Sequence, residues 1–428
     1  MSIGLKRELG LFETTVYGIG IILGAGIYAL IGEAAGLTGN SVWLSFVVGA
    51  LVASFTGLSY AELATMMPKA AAEYNYLKKA GSKVLSFLIG WLILFTGVAA
   101  AAAVALGFAG YFHGLFGFPI ILIAIILIAA LSYINFMGIK ESSRFNIIFT
   151  AVEVFGLIAV IILGFTAFGK TQINYLEFSN GTKGLLSAAA LVFFAYLGFE
   201  EIANISEEAR RPKKILAKAF IIAVVITTIL YILTSVAAVT LADSKELSSS
   251  KSPLAVAVSK TFLGNNAFTI MSYIALFATA NTVLVMLIVG SRMMYGMSKG
   301  GALPKLLGIV HKIRGTPHIA VIVVMLFSMI FVFVGEITIV ANITSLGAFI
   351  TFGLVNGALI WLRFKYPKMD RPFKTPVNIG KFPILAFLGL LTCIFMIFQF
   401  SFTVMLYTAV AMAAGLILYQ LIERKIIK

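Results

Sequence analysis

Gly18-Ile19-Gly20-Ile21-Ile22-Leu23-Gly24-Ala25-Gly26-Ile27-Tyr28 lies mid-way along an apolar run from about residue 11 to residue 37. Each glycine weakens a helix by ~1 kcal/mol relative to alanine, and four of them fall within nine residues. A run longer than the ~20 residues that cross a bilayer as helix is therefore built to break at its centre. Close helix packing through small residues explains the same glycines. On this segment alone neither reading wins.

The rest of the chain sets the context. Of its 428 residues, 61% are apolar and only 11% charged, against ~25% charged in soluble domains. That excludes a water-soluble enzyme, a disulfide scaffold and a disordered chain. Twelve apolar runs are expected to span a membrane as helices: 11–37, 41–66, 84–113, 118–137, 143–168, 184–205, 215–241, 266–297, 318–335, 337–362, 382–402 and 403–423. Only a short polar break at Gln399, Ser401 and Thr403 divides the last two. With twelve spans, 27 of the 32 Lys and Arg residues fall on the side of the N-terminus. The excess of positive charge predicts a multi-pass cell-membrane protein with both termini cytoplasmic. The net charge of +15 then reflects topology and attraction to anionic lipid, with no need for nucleic acid as a partner. No signal peptide and no second domain are expected. The single Cys393, inside an apolar run, reads as core packing.

A second interruption is Phe193-Phe194-Ala195-Tyr196-Leu197-Gly198-Phe199-Glu200-Glu201 in span six. An acidic pair is costly in hydrocarbon and usually lines a cavity or pathway; alternatively, span six ends here and the pair lies near the surface. Interrupted helices in corresponding positions of two halves point to a transporter binding site, and spans one and six are five helices apart. Unwinding frees backbone groups that hydrocarbon cannot satisfy. The positive N-terminal end of a second half-helix suits a carboxylate, and carbonyls ending the first half-helices suit an ammonium. Both together ask for an α-amino acid.

At this point the chain resembles the amino acid–polyamine–organocation transporter superfamily. Four blocks carry the likeness. They are Leu9-Gly10-Leu11-Phe12 through Ile27; Ser59-Tyr60-Ala61-Glu62-Leu63 with Pro68 and Glu73 to Tyr76; Phe194 through Glu208 with Arg211-Pro212; and Arg292 to Tyr295 with Leu303-Pro304, followed by Arg371 to Pro376. The resemblance implies an all-α leucine-transporter-like fold of two inverted five-helix repeats (11–168 and 184–362) plus two extra helices (382–423), with helices one and six discontinuous. It implies a transporter rather than an enzyme, with no cofactor, carrying amino acids by alternating access as a proton-coupled symporter or an exchanger. The amides of Ala25, Gly26 and Ile27, beside Gly24, would hold the substrate carboxylate. The carbonyls of Ile22, Phe194 and Leu197 would take the ammonium, with Ala195 and Gly198 in the unwound part. The Phe194 ring would gate the site, and Glu200 would take the acidic position linked to proton sensing.

One departure stands out. Many members of the superfamily carry a lysine within span five that stands in for the sodium ion of related transporters. Here the only ionisable residue between Ile147 and Ala159 is Glu153. Neutral, it would carry a proton; ionised, it would bind a cation such as Na+ with Thr279, Asn281 and Thr282 of span eight; or it is structural. A polyamine or organic-cation carrier and an amino-acid sensor on the same fold are the alternatives. Two further features are set aside. Gly164 to Thr171 matches a phosphate loop letter for letter but closes an apolar helix on the wrong side, and His113, His311 and His318 lack a second ligand at metal spacing. Pro253 to Lys260 is expected to form a short amphipathic helix over the outer vestibule, or one lying at the interface.

Overall fold

The computed structural model describes residues 7–169, 173–250, 252–333 and 337–424. The first helix, α1 (Leu11–Leu23), opens with Gly10 N–H donating to Glu13 Oε2 at 2.9 Å and stops at Gly24, from which α2 (Ala25–Thr38) restarts. So the glycine-rich run is a real break, one residue wide. After it come α3 (Val42–Met66), the short α4 (Ala72–Ala80), and then α5 (Lys83–Phe116), α6 (Ile120–Met137) and α7 (Ile139–Ala167). The second interruption is also a break. Helix α8 (Gly181–Tyr196) ends, Leu197 turns extended, Gly198 takes φ +123°, and α9 (Glu201–Asn204) adds a single turn. A Cβ at Gly198 would run into Ile21, so both backbone and space require glycine there.

Helix α10 (Pro212–Leu241) leads to two short helices, α11 (Ser244–Ser249) and α12 (Pro253–Ser259). The latter is not an interface helix. Pro253, Leu254, Ala255, Ala257 and Val258 are buried, and it packs on α2, α11 and the long α13 (Gly264–Lys299). Then follow α14 (His318–Phe331), α15 (Ile337–Lys365), a two-stranded hairpin of β1 (Asn378–Ile379) and β2 (Phe382–Pro383) turning at Gly380, and finally α16 (Ile384–Ile397) and α17 (Phe402–Glu423).

As far as the described residues go, each of the twelve expected intervals overlaps one of these helices or a broken pair. Among the described residues, nine stretches are long and apolar enough to cross a membrane, the first of them running from Leu11 to Met66 through α1, α2 and α3. Helices α14 and α16 have 14 residues each, fewer than the ~20 of a full crossing. The layers are set by which faces are apolar. Helix α13 is the axis, buried almost continuously from Ala278 to Ser298, whereas α17 presents Val410 and Ile417 outward. An outward apolar face is what lipid requires and water penalises.

One face of the molecule collects the N-terminus, α4 and the last turns of α3, α9, α13 and α15. There the Leu9 carbonyl accepts from Arg210 N–H (2.9 Å), and Leu9 N–H donates to the Glu208 carbonyl (3.1 Å). Buried Arg292 pairs with Glu208 (3.2 Å) and donates to Asn135 (2.5 Å). Buried Arg363 pairs with Glu62 (2.5 Å), and Thr375 N–H donates to that same carboxylate (2.8 Å).

Candidate functional site

The two helix breaks face each other. A Cβ on Gly26 would collide with the backbone of Ala195, so the start of α2 lies directly on the end of α8. Tyr231, from the middle of α10, ties the two together. Its buried hydroxyl reaches the carbonyl oxygens of Ile22 and Ala195, the latter at 2.8 Å. Nothing in the sequence marks Tyr231, because a tyrosine on an apolar helix has no periodicity of its own.

The expected site residues are thus brought together, though several are already engaged. Ala25 N–H donates to Thr282 Oγ1 at 2.8 Å, and Gly24 leaves the space that this hydroxyl fills. The Ile22 carbonyl is taken by Tyr231, and the Phe194 carbonyl accepts from Leu197 N–H at 3.2 Å. Gly26 and Ile27 complete the first turn of α2, where a helix leaves its N–H groups without intrahelical partners. Gly198 N–H donates to Glu200 Oε2 at 2.8 Å. The Phe194 side chain is 7% exposed, beside these groups.

Behind the first break lies a polar stripe. Asn146, Thr150 and Glu153 lie on one face of α7, at the four- and three-residue spacing that aligns side chains on a helix. That spacing was legible, although Glu153 alone stood out because it alone ionises. Asn281 of α13 donates to the Gly20 carbonyl (3.1 Å) and accepts from Asn146 (2.9 Å). Tyr28 donates to the backbone carbonyl of Glu153 (2.7 Å). Both carboxylate oxygens of Glu153 are buried with no hydrogen-bond partner. Thr279 turns back onto its own helix, donating to Ala275 (2.8 Å).

Glu200, half-buried and held by Gly198 at the second break, also lines a cavity of about 40 Å³ together with Glu73, Leu197, Glu201 and Thr344. Neither Glu73 nor its partner Asn204 was expected from the sequence. Lys170 and Thr171 of the phosphate-loop look-alike lie outside the described residues. Among the described residues, no three His, Cys, Asp or Glu side chains are grouped as a metal site.

This arrangement of two facing helix breaks is matched by similarity over the whole chain. The sequence profile of the amino acid permease family matches residues 9–422. A branched-chain amino acid permease, BcaP of Bacillus subtilis (strain 168), is 31% identical over 98% of this chain and 94% of its own length. A methylthioribose transporter of the same organism is 28% identical over 99% and 95%. The human cystine/glutamate transporter is 31% identical over 92% and 80%. The chain is therefore a membrane transporter and not an enzyme, and it belongs to the amino acid permease family.

Proposed function

We propose that this chain moves amino acids across the cell membrane by alternating access, as a secondary transporter. The observation that carries the reading is the meeting of the two helix breaks, with Tyr231 bridging the Ile22 and Ala195 carbonyls. The first turn of α2, at Gly26 and Ile27, suits a carboxylate. Carbonyls at the ends of α1 and α8 suit an ammonium, which replaces Tyr231 as their donor. Neutral aliphatic amino acids fit best, since the breaks themselves carry the apolar side chains of Ile22, Phe194 and Leu197 and a relative is a branched-chain amino acid permease.

The twelve expected spans would form inverted repeats over 11–168 and 184–362, with 382–423 added. In that topology α14 and α16 cross the bilayer together with the segments at their ends. The face that gathers the N-terminus and α4 would be cytoplasmic, because it also gathers most of the lysines and arginines. Glu153 is the coupling group in this reading. It is buried beside the first break with neither carboxylate oxygen hydrogen-bonded. Its backbone carbonyl accepts from Tyr28 of α2, and Asn281 and Thr282 of α13 hold Gly20 and Ala25 on either side of that break. Glu200 is then not the coupling carboxylate but part of a separate cluster.

Counterflow in proteoliposomes, preloaded in turn with each of the twenty amino acids, tests this. Signal confined to branched aliphatic amino acids is expected. Signal from a polyamine and from no amino acid would overturn the carboxylate cradle, and silence from both would overturn transport.

A further inference from the structure

Three carboxyl groups meet on the N-terminal face with no cation among them. Glu73, on α4, is fully buried, and Glu201, the first residue of α9, is 5% exposed. One side chain joins them. Asn204 Nδ2 donates to Glu201 Oε2 (2.8 Å) and to Glu73 Oε2 (3.3 Å), while its Oδ1 accepts from Ala72 N–H (2.9 Å). Glu200 lines the same cavity, with one oxygen held by Gly198 N–H. The cavity also holds two buried oxygens without a hydrogen-bond partner: the second oxygen of Glu73 and, from α15, Thr344 Oγ1.

Among the described residues, the groups facing this cluster are neutral or acidic. Tyr60 comes from α3, Tyr76 from α4 and Tyr17 from α1, and α5 and α15 contribute threonines. The nearest buried cation, Arg292 of α13, is committed to Glu208 and Asn135. Two buried carboxylates bridged by a single amide, with a third lining the same cavity and no counter-ion, are not sustainable as anions. Burial, partly offset by hydrogen bonds to the carboxylate, pushes the Glu73 carboxyl up to about 7.

We propose that Glu73 and Glu201, with Glu200 beside them, form a proton-binding site whose occupancy clamps α4 to the second half of span six. With protons bound, Asn204 bridges two neutral or singly charged carboxyls and the contact is closed. When the protons leave to water on that face, like charges on α4 and α9 repel and the contact loosens. The site is distinct from Glu153, with which it shares no hydrogen-bond partner. Its consequence for transport rests on the alternating-access reading; the proton site itself does not.

The test therefore begins with a measurement that needs no transport. In infrared difference spectra of the reconstituted full chain, stepped across neutrality, a protonated-carboxyl C=O band is expected to vanish on the alkaline side. Glu73→Gln and Glu201→Gln should each remove or shift that transition, and Glu153→Gln should leave it in place. Thermal stability should follow the same linkage. A carboxyl whose folded value is raised stabilises the fold below the ordinary carboxylate range, and that stability is lost as pH rises to about 7. Glu73→Gln should flatten this slope. A wild-type spectrum with no such band overturns the proposal even where neither variant folds. An unshifted band in both variants does so as well, and so does stabilisation by Na+ in place of protons. Exchange should then speed up several-fold as the pH on the N-terminal face is raised through neutrality, and Glu73→Gln should lose that dependence. Loss of exchange with the band intact would count against the transport reading alone.

Discussion

Tyr231 brings one hydroxyl proton to two carbonyls. It can donate fully to only one of them, so whichever of Ile22 and Ala195 goes without is a buried acceptor waiting for a donor. Tyr231→Phe removes that donor and leaves both carbonyls bare, at ~1–3 kcal/mol for an unsatisfied buried group. Because the ammonium replaces Tyr231 as their donor, the variant is expected to be less stable without ligand and to bind substrate tighter by about tenfold, ~1.4 kcal/mol being a factor of ten. A larger ligand-induced melting shift would read it, and an unchanged shift would remove Tyr231 from the site. Glu153→Gln keeps size and polarity but cannot release a proton. Uptake driven by a pH gradient should disappear while counterflow persists, and if the gradient still drives uptake, Glu153 is structural. Both residues differ in how visible they were beforehand. A lone acid in an apolar stretch announces itself because ionisation is costly there. Tyr231 does not, because its phenol becomes informative only when two distant carbonyls are folded against it.

At the scale of elements, both breaks were marked in the sequence by a glycine cluster and an acidic pair. Each mark had a second reading, close helix packing for the first and the end of a span for the other, and the fold decides between them. The engagement of their freed groups was not marked, because partners such as Thr282 and Tyr231 come from helices more than two hundred residues after the first break. The same limit hid Glu73, whose acidity looked like that of any loop residue until α4 folded under span six. Gly198 is where local and distant demands coincide, with φ +123° and Ile21 where a Cβ would go. Gly198→Ala should therefore cost more than the ~1–2 kcal/mol of a left-handed alanine. A melting temperature lowered by several degrees in detergent is expected, and a neutral substitution would mean that the break relaxes.

For the whole molecule, the N-terminal face is held by ion pairs that cross between distant segments. Glu62 receives Arg363 and Arg371 from α15 and the loop after it. Removing one partner of such a buried pair leaves an uncompensated charge at ~3–5 kcal/mol. Arg363→Met should lower thermal stability markedly and loosen the loop that carries β1 and β2, read as faster hydrogen exchange over 366–383. Protection equal to the parent chain would show that the loop is held by its hairpin alone. The charge asymmetry was legible at this scale; the pairing was not, because a lysine or arginine count carries no partner. A last consequence follows from the single thiol. Cys393 is enclosed in α16 against Thr56 at 3.9 Å, out of reach of water-borne reagents. A spin label or fluorophore pair would attach only at cysteines placed on α4 and α9, so the distance between them can be followed in the otherwise native chain.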